Sequence, residues 1–372
     1  MKPQVQDKAI FSRHGRSRRA ARSMGATLGA LLALACCGTA AARSVIDMAG
    51  RSVELPAQVR RVACLEVLCY PRVFMLGAEA RIGLMYDTAA PWMVATNPQV
   101  RSIPRMVGEP NVEELLARGI DTAFVFYDAG RVVPKLATVG IAALVSQPVG
   151  PPPATAEAFI ADTMRAVRLF GQVLGGEAEA RAEEWCRIFE TRIRRVLART
   201  ADIPAAQRPR LYYVRGPQAV NTQGRGSYTY WSGTIAGASM IAGALPLAGR
   251  GSMAMEDILR WDPQVVLVGR QYPLALVQGD PRWADVTAVR EGRVLSTPEG
   301  VFYWDGGPES ALLLTEFIAR LLYPDRFPDL DMRAEVQEYY ARFYRTRLDD
   351  AAVGRLLRGE APDGSRHNPF NN

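Results

Sequence analysis

Strand-like and helix-like segments alternate along residues 61–145 and again along residues 210–295, and a single long helical pattern separates the two blocks. Continuous apolar runs such as Thr122–Phe126 and Val265–Gly269 are typical of strands buried inside parallel sheets. The separating segment, Thr155–Leu174, places apolar residues three and four positions apart, as one face of a helix of about 20 residues requires. This alternation predicts right-handed βαβ units. We therefore expect an α/β fold of two Rossmann-like lobes with parallel sheets, joined by one long interlobe helix.

Changes in composition mark the boundaries that we expect between these parts. The proline-rich stretch Pro148–Pro153 closes the first lobe, and Gly175-Gly176 ends the long helix. We predict an amino-terminal α/β lobe at 43–150, the interlobe helix with the helix after it at 151–200, a carboxyl-terminal α/β lobe at 201–357 and a flexible tail at 358–372. Among single elements, we predict helices at Glu66–Gly77 and Thr234–Gly243.

The positive charge of the chain is concentrated in its first 42 residues. They contain seven of the 45 Lys and Arg residues and only one of the 38 Asp and Glu residues, so they carry +6 of the net charge of +7. The rest of the chain sums to +1, which removes the electrostatic reason to expect a nucleic-acid partner. An uncharged segment rich in Ala, Leu and Gly, Met24–Ala42, follows the basic residues. This order predicts a signal peptide at 1–42 and export of the protein.

The leader leaves two questions open. Arg18-Arg19 is compatible with a twin-arginine signal, but Ala20–Arg22 lacks the hydrophobic residues that should follow, so we favour a Sec signal. Cys36 or Cys37 is compatible with a lipid anchor, although the residues before Cys36 depart from the usual order at such sites. The sequence decides neither the export route nor lipidation.

Few residues suited to metal binding or to histidine-based catalysis occur in the predicted lobes. The two histidines, His14 and His367, lie near the two ends, which argues against a His-rich metal site or a Ser-His-Asp triad. Three cysteines follow the leader: Cys64, Cys69 and Cys186. Export favours disulfides, and Cys64 and Cys69 are close enough in sequence to bridge. We nevertheless favour three small buried thiols, because Cys64 ends an apolar strand, and whether the pair is joined stays open.

Five phrases, in order and at consistent spacing over residues 45–328, resemble the periplasmic substrate-binding proteins of ABC importers for iron–siderophore, haem and cobalamin. The phrases are Val45–Asp47 with Gly50-Arg51 and Arg60–Val62; Gly77-Ala78 with Arg81–Gly83; Gly108 with Asn111–Leu116; Met255–Leu259 with Trp261–Val265; and Gly307-Pro308 with Leu322–Pro324 and Phe327. One departure is Arg118–Asp121, which keeps the family's aspartate before a strand but lacks its proline.

The resemblance implies the class III fold of periplasmic binding proteins, a location in the periplasm, a monomer and no catalytic activity. It also implies that the protein delivers its ligand to the membrane subunits of an ABC importer. By motif match, Glu113 and Glu256 are the two glutamates, one on each lobe, that meet arginines of those subunits. Opposite charges at such positions would steer docking and fix its register.

The resemblance places the ligand between the lobes, and parallel sheets bind ligands beside the loops that follow their strands. These loops are rich in aromatic residues, which pack against large conjugated ligands, and in arginines, which bind anionic groups bidentately. The predicted ligand-binding residues are Tyr86, Trp92, Tyr127, Arg215, Arg225, Tyr228, Tyr230, Trp231, Arg270, Tyr303 and Trp304. We predict no catalytic residue, no metal-ligating residue and no cofactor.

This residue set predicts a bulky anionic metal chelate as the ligand. We favour a ferric siderophore, because a metal that is already chelated needs no ligand from the protein. Haem, cobalamin and a molybdate-type oxyanion remain alternatives in the same transport role: Tyr86 has the chemistry to ligate a haem iron, and a few arginines with backbone N–H groups suffice for an oxyanion. An exported enzyme on the same frame is a weaker alternative, since histidine is unavailable as a general base. The sequence does not identify the chelate or oxyanion.

Overall fold

Parallel strands and helices alternate through the residues that the computed structural model describes, which are 43–88, 90–126, 129–244 and 250–366. The amino-terminal lobe contains β1 (Arg43–Ile46), β2 (Ser52–Leu55), β3 (Val62–Cys64), α1 (Cys69–Met75), β4 (Ile82–Tyr86), α2 (Met93–Thr96), β5 (Arg105–Met106), α3 (Val112–Ala117), β6 (Thr122–Val125), α4 (Ala129–Ala137) and β7 (Ala142–Val145). Two long helices follow, α5 (Ala156–Leu174) and α6 (Glu177–Thr200).

The carboxyl-terminal lobe contains β8 (Arg210–Val214), β9 (Asn221–Gln223), α7 (Tyr228–Ile235), β10 (Ser239–Met240), β11 (Arg250–Ser252), α8 (Met255–Trp261), β12 (Val265–Val268), α9 (Ala275–Gln278), α10 (Thr287–Arg290) and β13 (Val294–Ser296). The closing helices are α11 (Gly307–Glu309), α12 (Thr315–Leu322), α13 (Met332–Phe343) and α14 (Asp350–Leu357). A π-helical turn at Ser310–Leu314 joins α11 and α12 into one continuous helix.

The amino-terminal sheet has the strand order β5-β4-β3-β6-β7, with every neighbouring pair parallel. The chain runs outward from β3 through β4 and β5, and then builds β6 and β7 on the other side of β3. The strand order therefore reverses between β3 and β6, where the connecting loops at Leu65 and Phe126 leave in opposite directions. Such a reversal opens a crevice at the carboxyl ends of the strands.

The carboxyl-terminal sheet repeats this plan with the parallel order β10-β8-β12-β13. Here the reversal lies between the neighbours β8 and β12. Val214 at the end of β8 is paired with Val268 at the end of β12. Arg215 directly follows β8 and Arg270 lies two residues after β12, so both leave the sheet at the same edge, from neighbouring strands.

Helices α5 and α6 follow the amino-terminal lobe and pack tightly on each other. The hydroxyl of Thr155 caps α5 by accepting a hydrogen bond of 3.1 Å from the Ala158 N–H, and Gly175 ends it with a φ of 66°. A Cβ on Gly171 would lie 2.5 Å from the Cβ of Ala182, so glycine lets the two helices approach. The predicted architecture of two parallel-sheet lobes and a long helix is confirmed, while the domain boundaries stay predictions.

Two local predictions are wrong, and one helix was missed. The helix predicted at Glu66–Gly77 is only α1, because the Leu68 N–H donates to the Glu66 carboxylate at 2.6 Å and residues 65–68 form an irregular loop. The helix predicted at Thr234–Gly243 begins earlier, as α7, because Ser227 caps its first turn, and it ends before Gly237, whose φ is 88°. Helix α14 was not predicted.

Cys64 and Cys69 form a disulfide with an S–S distance of 2.07 Å, so the preference for three thiols is wrong for this pair. Cys64 ends β3 and Cys69 begins α1, and their Cα atoms lie 5.2 Å apart, which is within the range that a disulfide spans. Cys186 is a buried free thiol. The disulfide closes a small ring around residues 65–68.

The predicted signal peptide, the candidate lipidation sites Cys36 and Cys37, and His367 lie outside the described residues. Within the described residues, none of the helices combines the length and the apolar character that a membrane span requires.

Candidate ligand-binding site

A cavity of about 460 Å³ lies where the carboxyl ends of the two sheets face each other. The amino-terminal lobe supplies the loops after β3, β6 and β7, and the carboxyl-terminal lobe supplies the loops after β8 and β12 and the starts of α7 and α11. Representative lining residues are Glu66, Phe126, Gln147, Phe159, Arg215 and Arg270. This position, at the strand reversal of both sheets, is where open α/β sheets bind ligands.

Two arginines and one aspartate form the charged centre of this cavity. Asp305, whose side chain is 1% exposed, accepts hydrogen bonds from Arg270 Nε at 2.5 Å and Arg270 Nη2 at 3.0 Å. Arg215 Nε also contacts the Asp305 carboxylate. Burial alone would raise the pKa of Asp305, but the two guanidinium groups outweigh it and hold the pKa below its ordinary value. Asp305 is therefore an ionised carboxylate that orients both arginines.

The backbone at Arg270 is held in an unusual conformation. Arg270 and Gln271 have φ values of 51° and 56°, in the left-handed region that residues other than glycine rarely adopt. The guanidinium of Arg270 lies 4.5 Å from the ring centroid of Tyr303. The side-chain amide of Gln271 donates to the Gly359 carbonyl at 3.1 Å. Such conformations persist where the surroundings fix them, and they cluster at binding sites.

Two helices of the carboxyl-terminal lobe begin at the cavity. Ser227, the N-cap of α7, and Gly306, which precedes the continuous helix Gly307–Leu322, both line it. The first turns of helices carry unpaired N–H groups and a partial positive charge. Together with Arg215 and Arg270, they make this side of the cavity favourable for an anion.

The amino-terminal wall of the cavity is built around Glu66. Its carboxylate accepts hydrogen bonds from Ser146 Oγ at 2.9 Å and from the Leu68 N–H, and it lies 3.8 Å from Arg72 Nη1. Burial raises the pKa of Glu66 above its ordinary value, against the opposing effect of Arg72. The side-chain amide of Gln147 lies beside the same guanidinium. Glu66 is thus a fully partnered group on the wall.

A second cavity of about 420 Å³ lies on the other side of residues 66 and 67. Tyr86 lines it, as do Glu109 and Arg131, which form an ion pair at 2.6 Å. Within the described residues, no group of three or more His, Cys, Asp or Glu side chains is arranged to hold a metal ion.

The structure brings three of the predicted ligand-binding residues, Arg215, Tyr228 and Arg270, to the main cavity and places Tyr86 in the second one. Other predicted residues are buried in the core and line neither cavity: Trp92, Trp231, Tyr303 and Trp304. Arg225 is exposed and Tyr230 half-buried, and both also lie outside the two cavities. Tyr127 is outside the described residues.

Several lining residues were not among the predicted site residues: Glu66, Gln147, Phe159, Asp162, Ser227 and Asp305. Glu66 and Gln147 each follow a buried strand by two residues, so the rule that selected Arg215 and Arg270 applies to them as well. Phe159 and Asp162 lie on α5, and the helical periodicity that predicted α5 carries no information about which turn meets a cavity.

Glu113 and Glu256 lie at equivalent points of the two lobes, in the first turns of α3 and α8, and both are exposed. Each is followed three residues later by an exposed leucine: Leu116 is 49% exposed and Leu259 is 42% exposed. Residues three apart share a helix face, so each lobe presents a paired carboxylate and apolar side chain.

Two such lobes, a long connecting helix and a cavity at the strand reversals of both sheets define the class III periplasmic binding proteins. Residues 135–300 match the family described as Periplasmic binding protein. This match and the fold confirm the resemblance to the periplasmic substrate-binding proteins of ABC importers that the motifs predicted.

Several known proteins are similar over most of their length. The chain is 28% identical over 338 residues to the molybdate-binding protein MolA of Haemophilus influenzae, covering 83% of this chain and 93% of that protein. The structure of MolA bound to molybdate superimposes with a TM-score of 0.73 at 24% identity, covering 82% of this chain and 99% of that one. CeuE of Helicobacter pylori with Ni(II) bound gives a TM-score of 0.68 at 19% identity, covering 85% and 99%. MolA is described as the periplasmic binding protein of an ABC transporter.

Proposed function

We propose that this protein captures a small tetrahedral oxyanion of the molybdate type in the cavity between its lobes and delivers it to an ABC importer. One observation carries the proposal. Arg215 and Arg270 emerge side by side from neighbouring strands, and Asp305 holds both through their Nε atoms. Among the described residues, no protein acceptor takes a hydrogen bond from the terminal nitrogens of Arg215, so they are available to a ligand in the cavity.

Similarity to MolA supports the same ligand class, since that protein binds molybdate and this chain covers nearly all of its length. The positions of three tryptophans also favour a small anion over a flat conjugated ligand. Trp92, Trp231 and Trp304 are buried in the core, where they offer no face to a haem or corrin ring.

A metal chelate such as a ferric siderophore is the second candidate. A cavity of about 460 Å³ exceeds what one tetrahedral oxyanion fills, and part of its wall is apolar, formed by Pro151–Pro153, Phe126 and Phe159. These features would accommodate the organic part of a chelate whose anionic groups meet the two arginines.

The transport role extends to location and partners. We propose that the protein acts in the periplasm as a monomer after export, and that Glu113 and Glu256 dock it onto two membrane subunits of the importer. The paired leucines, Leu116 and Leu259, add an apolar contact beside each carboxylate.

Thermal unfolding in the presence of candidate ligands tests the proposal. Molybdate at 100 times its dissociation constant should stabilise the protein by about 2.7 kcal/mol. Sulfate, phosphate, a ferric hydroxamate, haem and cobalamin serve as competitors. Arg270→Lys removes the bidentate geometry and should weaken molybdate binding, whereas Arg225→Lys, a matched change outside the cavity, should not. If only the ferric hydroxamate stabilises the protein, the ligand is a metal chelate and the oxyanion proposal is wrong.

A further inference from the structure

The charged residues that line the main cavity, counted with their ion-pair partners, nearly cancel one another. Asp162 is paired with Arg165 at 3.0 Å, and Glu66 lies beside the buried Arg72. The remaining lining charges are Arg215, Arg270 and Asp305. The two guanidinium groups thus share the buried carboxylate of Asp305, and a single positive charge is left uncompensated.

Asp305 is placed to act on the ligand as well as on the arginines. It lines the cavity, and its side chain is almost completely shielded from solvent, so water screens its charge only weakly. The interaction of this carboxylate with a bound anion scales with the charge of that anion. A doubly charged oxyanion is therefore penalised by Asp305 more than a singly charged one of the same shape.

We propose that Asp305 is a specificity-determining residue that sets the charge preference of the cavity, limiting its selectivity for doubly charged over singly charged tetrahedral oxyanions. This inference rests on the proposed function, because it concerns the same cavity and ligand class. Asp305 would thus have a second role besides orienting the arginines: its charge discriminates between anions. An uncharged hydrogen-bond acceptor of the same shape would orient the arginines without this discrimination.

Tungstate and perrhenate are suitable probes, because both are tetrahedral anions of similar size and they differ by one unit of charge. Their dissociation constants would be measured by calorimetry for the wild-type protein and for Asp305→Asn. We expect the ratio of tungstate affinity to perrhenate affinity to rise at least about tenfold in the variant. An equal loss of affinity for both anions would show that Asp305 only positions the arginines, and the proposal would be overturned.

Two further variants complete a charge series and decide the matter if Asp305→Asn does not fold. Asp305→Glu keeps the charge and should leave the affinity ratio unchanged, even if both affinities fall. Arg215→Gln removes one positive charge and should lower the ratio, and an unchanged ratio there would also overturn the proposal. If the wild-type protein binds neither anion, the proposed function fails together with this inference. If the wild-type protein binds the anions but the ratio of tungstate to perrhenate affinity is the same in every variant, this inference fails and the proposed function stands.

Discussion

The indole N–H of Trp92 donates a hydrogen bond of 2.9 Å to the main-chain oxygen of Glu360, which lies 268 residues further along the chain. Two more hydrogen bonds join the same region to the rest of the carboxyl-terminal half. The main-chain N–H of Trp92 donates to the Gly300 carbonyl, and the Thr346 hydroxyl donates to the Thr96 carbonyl. The two lobes are therefore tied along a second line in addition to α5.

Replacing Trp92 by phenylalanine should measure the strength of this tie. Trp92→Phe removes the indole donor and leaves the Glu360 carbonyl without it, which should cost about 1 kcal/mol beyond the effect of the smaller ring. Trp304→Phe is the matched control, because Trp304 is equally buried and its indole N–H has no partner among the described residues. Urea unfolding of both variants provides the comparison, and equal losses of stability would mean that the bond contributes nothing.

Ligand binding should change the relative position of the lobes only slightly. One stiff helix and the contacts around Trp92 both resist wide hinge opening. Small-angle X-ray scattering with and without molybdate should give the same radius of gyration within error. A clear decrease on addition of the ligand would contradict this expectation.

The disulfide should matter to the binding loop as well as to stability. In the double variant Cys64→Ser, Cys69→Ser, loss of the small ring should lower the free energy of unfolding by about 2 kcal/mol. It should also weaken ligand binding, because Glu66, Val67 and Leu68 line the cavity from inside that ring. Cys186→Ser is the control: it alters a buried free thiol that does not line the cavity and should leave ligand affinity unchanged. Unchanged affinity in the double variant would show that the loop holds its conformation without the bond.

Charge reversal at the two exposed glutamates separates docking from ligand binding. Glu113→Arg and Glu256→Arg should each reduce uptake of the bound anion in cells that carry the importer, since they replace attraction by repulsion at the interface. Ligand affinity of the purified variants should be normal. Glu179→Arg, at another exposed position on α6, should leave uptake intact. A loss of ligand affinity in the first two variants would refute their assignment to docking.

Stability should fall as the pH rises towards neutrality, in part through Glu309. This buried carboxyl accepts hydrogen bonds from the Tyr340 hydroxyl at 2.7 Å and the Phe302 N–H at 3.0 Å, and burial raises its pKa from 4.5 to about 7. A raised pKa means that the folded state binds the proton more tightly than the unfolded state. Its contribution is therefore complete below pH 4.5 and is lost as the pH rises through 7.

Glu309→Gln has no such proton to lose. Its free energy of unfolding should vary less than that of the wild-type protein between pH 4.5 and pH 8, by on the order of 3 kcal/mol. Denaturant unfolding across this range, with the exposed Glu179→Gln as control, measures the difference. Parallel curves for Glu309→Gln and the wild-type protein would show that Glu309 does not titrate in this interval.

The sheets were predictable because their strands are continuous apolar runs, which have no stable place except between two layers. Arg215 and Arg270 were predictable as cavity residues for a related reason: they follow such strands by one and two residues. The position of α7 was not, because its residues are largely aromatic and β-branched and show no helical period. Its start depends on the Ser227 cap. Trp92 and Trp304 were misleading, since large aromatic side chains in irregular segments suit a ligand surface or a core equally well, and only tertiary packing distinguishes the two.

The ring closed by Cys64 and Cys69 also has a consequence for when and where the site becomes complete. Such bonds persist in oxidising compartments and are rare where thiols are kept reduced. On the proposed export, a newly made chain still in the cytoplasm would carry Glu66 and its neighbours on a loop without this covalent closure. On the proposed function, that chain would bind the oxyanion weakly. It would therefore not withhold from the cell the oxyanion that the importer has already delivered to the cytoplasm.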